Sequence, residues 1–149
     1  MSITSTHFSL SDVDALVEQH FPQVHEGNGR LTIERLDHDV AIVRMAYDDR
    51  VIRPGGTVSG PAMFKLADFA VYVAILGRLG ERGLQAVTTN MTMNFLSRPE
   101  PADLIARVYL MKLGRRLAVA EVKLYSEGSE AIVAHATATY AIPPQGFTR

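Results

Sequence analysis

Hydrophobic and polar residues alternate with a period of two through most of this chain, which is the pattern of half-buried β-strands. Six segments have it, and short turns rich in Gly, Asp and Ser separate several of them. The segments are 30–36 (RLTIERL), 40–47 (VAIVRMAY), 87–95 (VTTNMTMNF), 102–113 (ADLIARVYLMKL), 117–126 (LAVAEVKLYS) and 131–142 (AIVAHATATYAI). We expect antiparallel hairpins at 37–39, 114–116 and 127–129.

The alternation in 87–95 predicts which side chains lie on the same face of the strand. Odd-numbered residues should share one face of this strand, and even-numbered residues the other. The first set is Val87, Thr89, Met91, Met93 and Phe95, and the second is Thr88, Asn90, Thr92 and Asn94.

Two segments have helical patterns. A short amphipathic helix is predicted at about 9–21, with Ser9 or Ser11 as N-cap and Pro22 at its end. A long apolar helix should begin after Ser59, which is a suitable N-cap, and stop at the glycines that follow Leu79. The stretch 48–57 before it is predicted to be a loop. The order of elements favours an α+β fold in which sheet or another subunit covers the long helix.

Composition narrows the class of protein. The chain has 149 residues, of which 47% are hydrophobic, and this suits a single globular domain with a core at about 30–142. The net charge of −1 and the lack of a basic stripe argue against nucleic-acid binding. Without cysteine there is no disulfide or thiolate chemistry. Neither a signal peptide nor a membrane span is recognisable, so we expect a soluble cytoplasmic protein.

A line of polar residues runs along the otherwise apolar helix. Lys65, Asp68 and Tyr72 are spaced i, i+3 and i+7, so they lie on one face. One interpretation is a solvent-facing side with a weak Lys65–Asp68 ion pair. The other is that Asp68 borders a crevice, where it is a candidate base or nucleophile.

The start of the same helix offers a second chemical feature. Backbone N–H groups at Ser59 and Gly60 have no partner within the helix, and they lie at the positive end of its dipole. Donors of this kind stabilise a developing oxyanion. Asp68 lies ~12 Å further along the helix axis, which is too far for one reacting atom within one chain. Two subunits could combine to supply both groups.

Four segments in this order resemble the hotdog-fold acyl-CoA thioesterases, in particular their phenylacetyl-CoA thioesterase-like branch. They are GGTVSGPAMFKLADFAVYVA (55–74), NFLSRP (94–99), GRRLAVAEV (114–122) and AIVAHATATY (131–140). The resemblance implies a long helix wrapped by a curved antiparallel sheet. It also implies homodimers or homotetramers with sites at the subunit interface, and an acyl-CoA substrate whose coenzyme A is the only cofactor-like group.

The resemblance also implies roles for individual residues. Asp68 matches the family's catalytic carboxylate, a nucleophile or an activator of water. Gly60 matches the glycine whose N–H, from the other subunit, polarises the thioester carbonyl. Thr88 falls where relatives place a Ser or Thr that helps to position the attacking water.

The chain departs from the family pattern at two catalytic positions. Ser59 stands in place of the family's His, and Arg53 stands in place of its Asn, while Pro61 replaces a second Gly that carries no role. A guanidinium near Asp68 would hold the carboxylate ionised, either for catalysis or in a salt bridge. Arg53 could equally be a solvated loop residue.

Three further arginines are candidates for holding the phosphates of coenzyme A, because a guanidinium matches phosphate geometry in a bidentate way. They are Arg98, Arg115 and Arg116. Basic residues in hairpin turns are also common solubilising features, and that interpretation stays open for each of them. For the acyl group we expect a pocket lined by Phe64, Phe69 and the strand 87–95, which leaves the acyl chain undetermined.

Two alternative functions remain. A protein that binds acyl-CoA without cutting it would keep the crevice while Ser59 and Arg53 remove turnover. A hotdog hydratase or dehydratase is disfavoured, because the histidine that such enzymes use cannot be placed here. The five histidines lack metal-ligand spacing, and neither a G-x-S-x-G elbow nor a P-loop occurs.

Overall fold

The computed structural model describes residues 7–25, 29–48, 52–53 and 57–144, which form two α-helices and eight strands. The helices are α1 (Leu10–His20) and α2 (Gly60–Leu79), and 3-10 helices occupy Pro22–His25 and Gly80–Gly83. The strands are β1 (Leu31–Leu36), β2 (Val40–Met45), β3 (Ile52–Arg53), β4 (Thr57–Val58), β5 (Val87–Phe95), β6 (Leu104–Leu113), β7 (Leu117–Ser126) and β8 (Ile132–Ala141).

Six strands form one antiparallel curved sheet in the order β1-β2-β6-β7-β8-β5. All three predicted hairpins, β1–β2, β6–β7 and β7–β8, are present. β5 pairs with β8 and forms one edge of this sheet. The α+β architecture expected from the sequence, a hotdog fold, is confirmed.

The long helix α2 lies across the inner face of the sheet and supplies much of the core. Most of its 20 residues are buried, and it packs mainly on β2, β6 and β7. The facing strand positions are small or branched: Ala106, Ala120 and Val122 are fully buried. The helix is apolar on almost every side because sheet covers it so extensively.

Local signals at both ends of α2 act as the sequence predicted. The Ser59 hydroxyl accepts a hydrogen bond from the Ala62 N–H at 3.3 Å, which satisfies one of the unpaired donors of the first turn. At the other end Gly80 adopts φ +60°, which only glycine reaches without strain, and its N–H bonds to the Leu76 carbonyl.

The predicted N-terminal helix is α1, which begins with a reciprocal capping box between Ser9 and Asp12. Val13 and Val17 are fully buried on its inner side. Just before it, the Phe8 N–H donates to the Gly77 carbonyl at 2.8 Å, so the segment is fastened to the C-terminal end of α2.

The predicted loop at 48–57 differs from the expectation where it is described. Ile52–Arg53 and Thr57–Val58 pair as a short antiparallel ladder, β3 with β4. The remaining positions 49–51 and 54–56 lie outside the described residues.

The predicted faces of β5 are correct from Asn90 onward but wrong for Val87 and Thr88, because the strand contains a β-bulge. Thr88 lies opposite Tyr140 and Asn90 lies opposite Thr139, so Thr89 is an extra residue. Directly opposed residues share a face of the sheet. After the bulge it is therefore Met91, opposite buried Ala138, that faces the helix.

The two faces of β5 thus have a different composition from the one expected. The inner face carries Thr88, Met91, Met93 and Phe95. A strict alternation would have placed Thr88 on the opposite side from the methionines.

Within the part of the chain that the structure describes, no helix has the length and hydropathy required to cross a membrane.

Two glycines with positive φ allow a matched test of the fastening between Phe8 and the end of α2. A Cβ at Gly80 (φ +60°) would lie 2.5 Å from the Phe8 ring, whereas one at Gly128 (φ +83°) would meet nothing within 4 Å. We expect Gly128→Ala to cost about 1–2 kcal/mol through backbone strain alone. Gly80→Ala should cost about 2–4 kcal/mol, because the Phe8 ring must also leave its place. Urea unfolding at one protein concentration measures both, and equal losses would contradict the role of Phe8.

Candidate active site

Asp68 accepts hydrogen bonds from two hydroxyl groups of the neighbouring sheet. Its Oδ1 lies 2.6 Å from the Thr88 Oγ1 and 2.6 Å from the Tyr140 hydroxyl. The Tyr140 hydroxyl also lies 2.8 Å from the Asp68 main-chain carbonyl oxygen. Among the described residues, no ion pair joins Asp68 to Lys65, which was the partner in the solvated interpretation. The carboxylate therefore faces the sheet.

The strand register explains why these groups meet. Thr88 and Tyr140 are directly opposed in the β5–β8 ladder, and Ala118 is the next residue in the same row. Residues in one row point to one face. This row faces the middle of α2, where Asp68 lies. One carboxylate thus joins the helix to an edge strand and its neighbour.

Asp68 opens onto a cavity of about 830 Å³. Its walls are the end of α1 with the following 3-10 helix, one face of α2, segment 84–88 and Tyr140. Phe69 lines this cavity, as expected, but Phe64 does not and is 41% exposed. Of the strand expected to line it, Val87 and Thr88 take part.

The third member of the polar line, Tyr72, closes one side of the cavity. Its hydroxyl donates to the Leu84 carbonyl oxygen at 2.8 Å, and its ring meets Phe21 edge-on at 6.1 Å. Burial raises the pKa of the Tyr72 phenol. The polar line Lys65–Asp68–Tyr72 therefore borders a crevice, as the second interpretation of the sequence held.

Tyr140 is buried, with 3% of its surface exposed. Burial, and then the negative charge of Asp68, raise the pKa of the Tyr140 phenol above its ordinary value. The phenol consequently stays neutral and is a hydrogen-bond donor to the carboxylate.

Sequence reasoning missed Tyr140. Its signal was present in the alternation of β8, where Ala134, Ala136 and Ala138 face the core and Tyr140 follows in phase. A phenol at such a position must bury its hydroxyl, and a buried hydroxyl requires a partner. The partner's identity depended on the register with β5 and could not be read locally.

The predicted oxyanion donor lies at the N-terminal end of α2, eight residues before Asp68. Ser59 and Gly60 are not among the residues that line the Asp68 cavity. A Cβ at Gly60 would lie 3.4 Å from the Phe95 ring, which places the helix start beside the far end of β5. One chain therefore keeps Gly60 and Asp68 apart, as the helical spacing predicted.

The candidate arginines occupy separate places. Arg115 and Arg116 are exposed in the β6–β7 turn, near the end of the sheet that holds Thr88 and Tyr140. Arg98 is exposed just beyond the opposite end of β5. Arg53 belongs to β3, and its side chain lies outside the described part of the structure.

Comparison with known proteins identifies the family. A family model described as the thioesterase superfamily matches residues 55–133, which is more than half of the chain. The chain belongs to this superfamily. The matched segment contains α2, β5, β6 and β7, and with them both Asp68 and Thr88.

Individual relatives agree with this assignment. A crystal structure from Silicibacter sp. TM1040, provisionally named a thioesterase, is 44% identical, with a TM-score of 0.83 over 95% of this chain and 97% of the relative. The phenylacetic acid degradation protein PaaI of Thermus thermophilus, solved as a mutant, is 27% identical, with a TM-score of 0.65 over 76% and 93%. A Saccharolobus solfataricus protein, provisionally named an esterase, is 23% identical over 134 residues, 90% of this chain and 85% of the relative.

The two buried phenols predict how stability depends on pH. Tyr72 and Tyr140 have raised pKa values when folded but ionise at about pH 10 in the unfolded chain. Their stabilisation is fully present below pH 10 and is lost as the pH rises above it, by up to about 1.4 kcal/mol per pH unit for each phenol. In Tyr140→Phe, the free energy of unfolding should fall less steeply between pH 10 and 11, as measured by urea unfolding. Parallel slopes would contradict the burial of an ionisable phenol here.

Proposed function

We propose that this protein is an acyl-CoA thioesterase that works as a homodimer or homotetramer with Asp68 as its nucleophile or general base. The observation that carries the proposal is the Asp68 carboxylate at the edge of a cavity, with Thr88 and Tyr140 both bonded to Oδ1. Membership of the thioesterase superfamily supports thioester hydrolysis as the reaction class.

The geometry of the carboxylate suits this role. Both hydroxyl donors converge on Oδ1, which leaves Oδ2 for a water molecule or for the thioester carbonyl carbon. As a base, Asp68 would take a proton from water as that water attacks the carbonyl carbon. As a nucleophile, it would form an anhydride and release the thiolate of coenzyme A, and water would then cleave the anhydride.

The oxyanion donor in this proposal is the Gly60 N–H of the partner subunit. Within one chain, Asp68 lies beside Thr88 near one end of β5, and Gly60 lies beside Phe95 at the other end. β5 is an edge strand of the six-stranded sheet, so its outer side can pair with a second copy. Antiparallel pairing about a two-fold axis near Met91 would place the helix start of each protomer beside the carboxylate of the other.

Three further residues have roles around Asp68 in this proposal: one matches the family pattern and two depart from it. Thr88 helps to hold the attacking water through the lone pairs that its bond to Asp68 leaves unused. Arg53, in place of the family's Asn, would add a cation to this site. Ser59, in place of the family's histidine, caps α2 and so keeps the Gly60 N–H in position.

Coenzyme A enters as part of the substrate, and three exposed arginines hold its phosphates. The same two-fold pairing would bring Arg98 of one protomer toward the end of the sheet that carries Arg115 and Arg116 of the other. Arginines that lie far apart within one chain would then bind the phosphates together at one site shared by two protomers.

The first test is release of free thiol from short, medium, long and aryl acyl-CoAs, with wild type compared with Asp68→Asn. We expect turnover on one class of acyl group and a loss of about 100- to 1,000-fold in kcat/KM for the variant, equivalent to several kcal/mol of transition-state stabilisation. An exposed carboxylate on α1 provides the control, since Asp14→Asn should leave the rate unchanged. If acyl-CoA binds and no substrate is cleaved, the protein is a binding protein and the proposal is wrong.

A second test asks whether each site uses two chains. Gly60→Pro removes the oxyanion N–H at a helix position that tolerates proline. Asp68→Asn and Gly60→Pro should each retain about 1% of the wild-type activity or less when alone. After denaturation and refolding together, half of the dimers would be mixed, and each mixed dimer would hold one intact site. Activity should then return to about a quarter of the wild-type value. Failure to recover any activity in confirmed mixed dimers would show that Asp68 and Gly60 do not act across subunits.

A further inference from the structure

We propose that Tyr140 is a positioning residue that fixes the orientation of the Asp68 carboxylate for the reaction. The inference rests on the proposed function, in which Asp68 reacts with the substrate or with water. It adds a residue on the last strand of the sheet to a site otherwise built from α2 and β5.

The contacts of the Tyr140 hydroxyl are the basis of this inference. The hydroxyl oxygen lies 2.6 Å from Oδ1 of Asp68 and 2.8 Å from the main-chain carbonyl oxygen of the same residue. It thus touches both ends of one side chain: the backbone from which the side chain starts and the carboxylate where it ends.

The hydroxyl has a single proton, and the carboxylate is its stronger acceptor because it carries a charge. Tyr140 therefore donates to Oδ1, the oxygen to which Thr88 also donates. Two donors on one oxygen restrict the terminal torsion of an aspartate, which is otherwise broad. Oδ2 has neither of these donors and is left to the cavity that Asp68 lines.

The surroundings of Tyr140 make it a rigid support. Its ring is buried, and the inward-facing residues before it on β8 are the small side chains Ala134, Ala136 and Ala138. Thr88 is directly opposite in the ladder, so main-chain hydrogen bonds fix the spacing of the two donors. Because burial and the charge of Asp68 raise its pKa, the phenol keeps its proton at working pH and does not act as an acid or base.

The test compares Tyr140→Phe with wild type in the thiol-release assay. We expect kcat to fall by about 10- to 100-fold, as for the loss of a hydrogen bond to a charged group, with KM changed by less than about threefold. Tyr109→Phe is the matched control, because it removes a phenol hydroxyl from an outward-facing tyrosine and keeps the ring over which Lys123 lies. Its kcat should equal that of wild type.

A double-mutant cycle separates positioning from a general structural effect. In an Asp68→Asn background, Tyr140→Phe should leave the residual rate unchanged, because the group that it positions is gone. A merely structural role would lower that residual rate by the same factor as in wild type, and the inference would be overturned.

The remaining outcomes distinguish this inference from the proposed function. If Asp68→Asn keeps full turnover, the proposed function fails. If Asp68→Asn is inactive but Tyr140→Phe has the wild-type kcat, only the role of Tyr140 is wrong. Crystal structures give a measurement independent of turnover. The Asp68 carboxylate should occupy one rotamer in wild type and shift or spread over several in Tyr140→Phe, and an unmoved carboxylate would overturn the inference.

Discussion

Two hydrogen bonds, from the Thr88 and Tyr140 hydroxyls to the Asp68 carboxylate, join the long helix to the sheet, and the candidate site depends on them. Asp68 is a polar residue in the middle of an otherwise buried helix, and its Oδ1 is bonded to β5 and to β8. Asp68 is half-buried, and the two bonds replace hydrogen bonds that water would otherwise make to the carboxylate. The same bonds connect α2 to the edge of the sheet, so the fold and the candidate site share one set of contacts.

Much of the fold was predictable because its signals are local. Period-two alternation identified the six strands of the main sheet, and Ser59 and Gly80 marked the ends of the long helix through capping and a positive φ. The bulge at Thr89 was not predictable from alternation, because a bulge is a property of two strands. The sequence of β5 alone does not reveal how many residues β8 offers opposite it.

The candidate site, like the fold, was predictable only where its signals are local in the sequence. An acid among apolar helix positions drew attention to Asp68, and the resemblance to a family added Thr88, which the structure places in direct contact. Tyr140 comes from a strand more than 70 residues away in the chain, and only the register of the finished sheet shows its partner. The functions proposed for Gly60 and for the arginines require a second subunit, so their roles remain predictions.

The bulge in β5 also separates two demands on a single strand. Before Thr89 the strand must present a hydroxyl to Asp68, and after it the strand must cover the helix with Met91 and Met93. Without the extra residue, strict alternation would place the Thr88 hydroxyl and the two methionines on opposite faces of the strand. Either the hydroxyl or the methionines would then face solvent. The bulge at Thr89 would accommodate an insertion or deletion on one side of it without reversing the faces of the other half of the strand. The strand can therefore diverge at the end that carries Thr88 while the end that carries Met91 and Met93 stays constant.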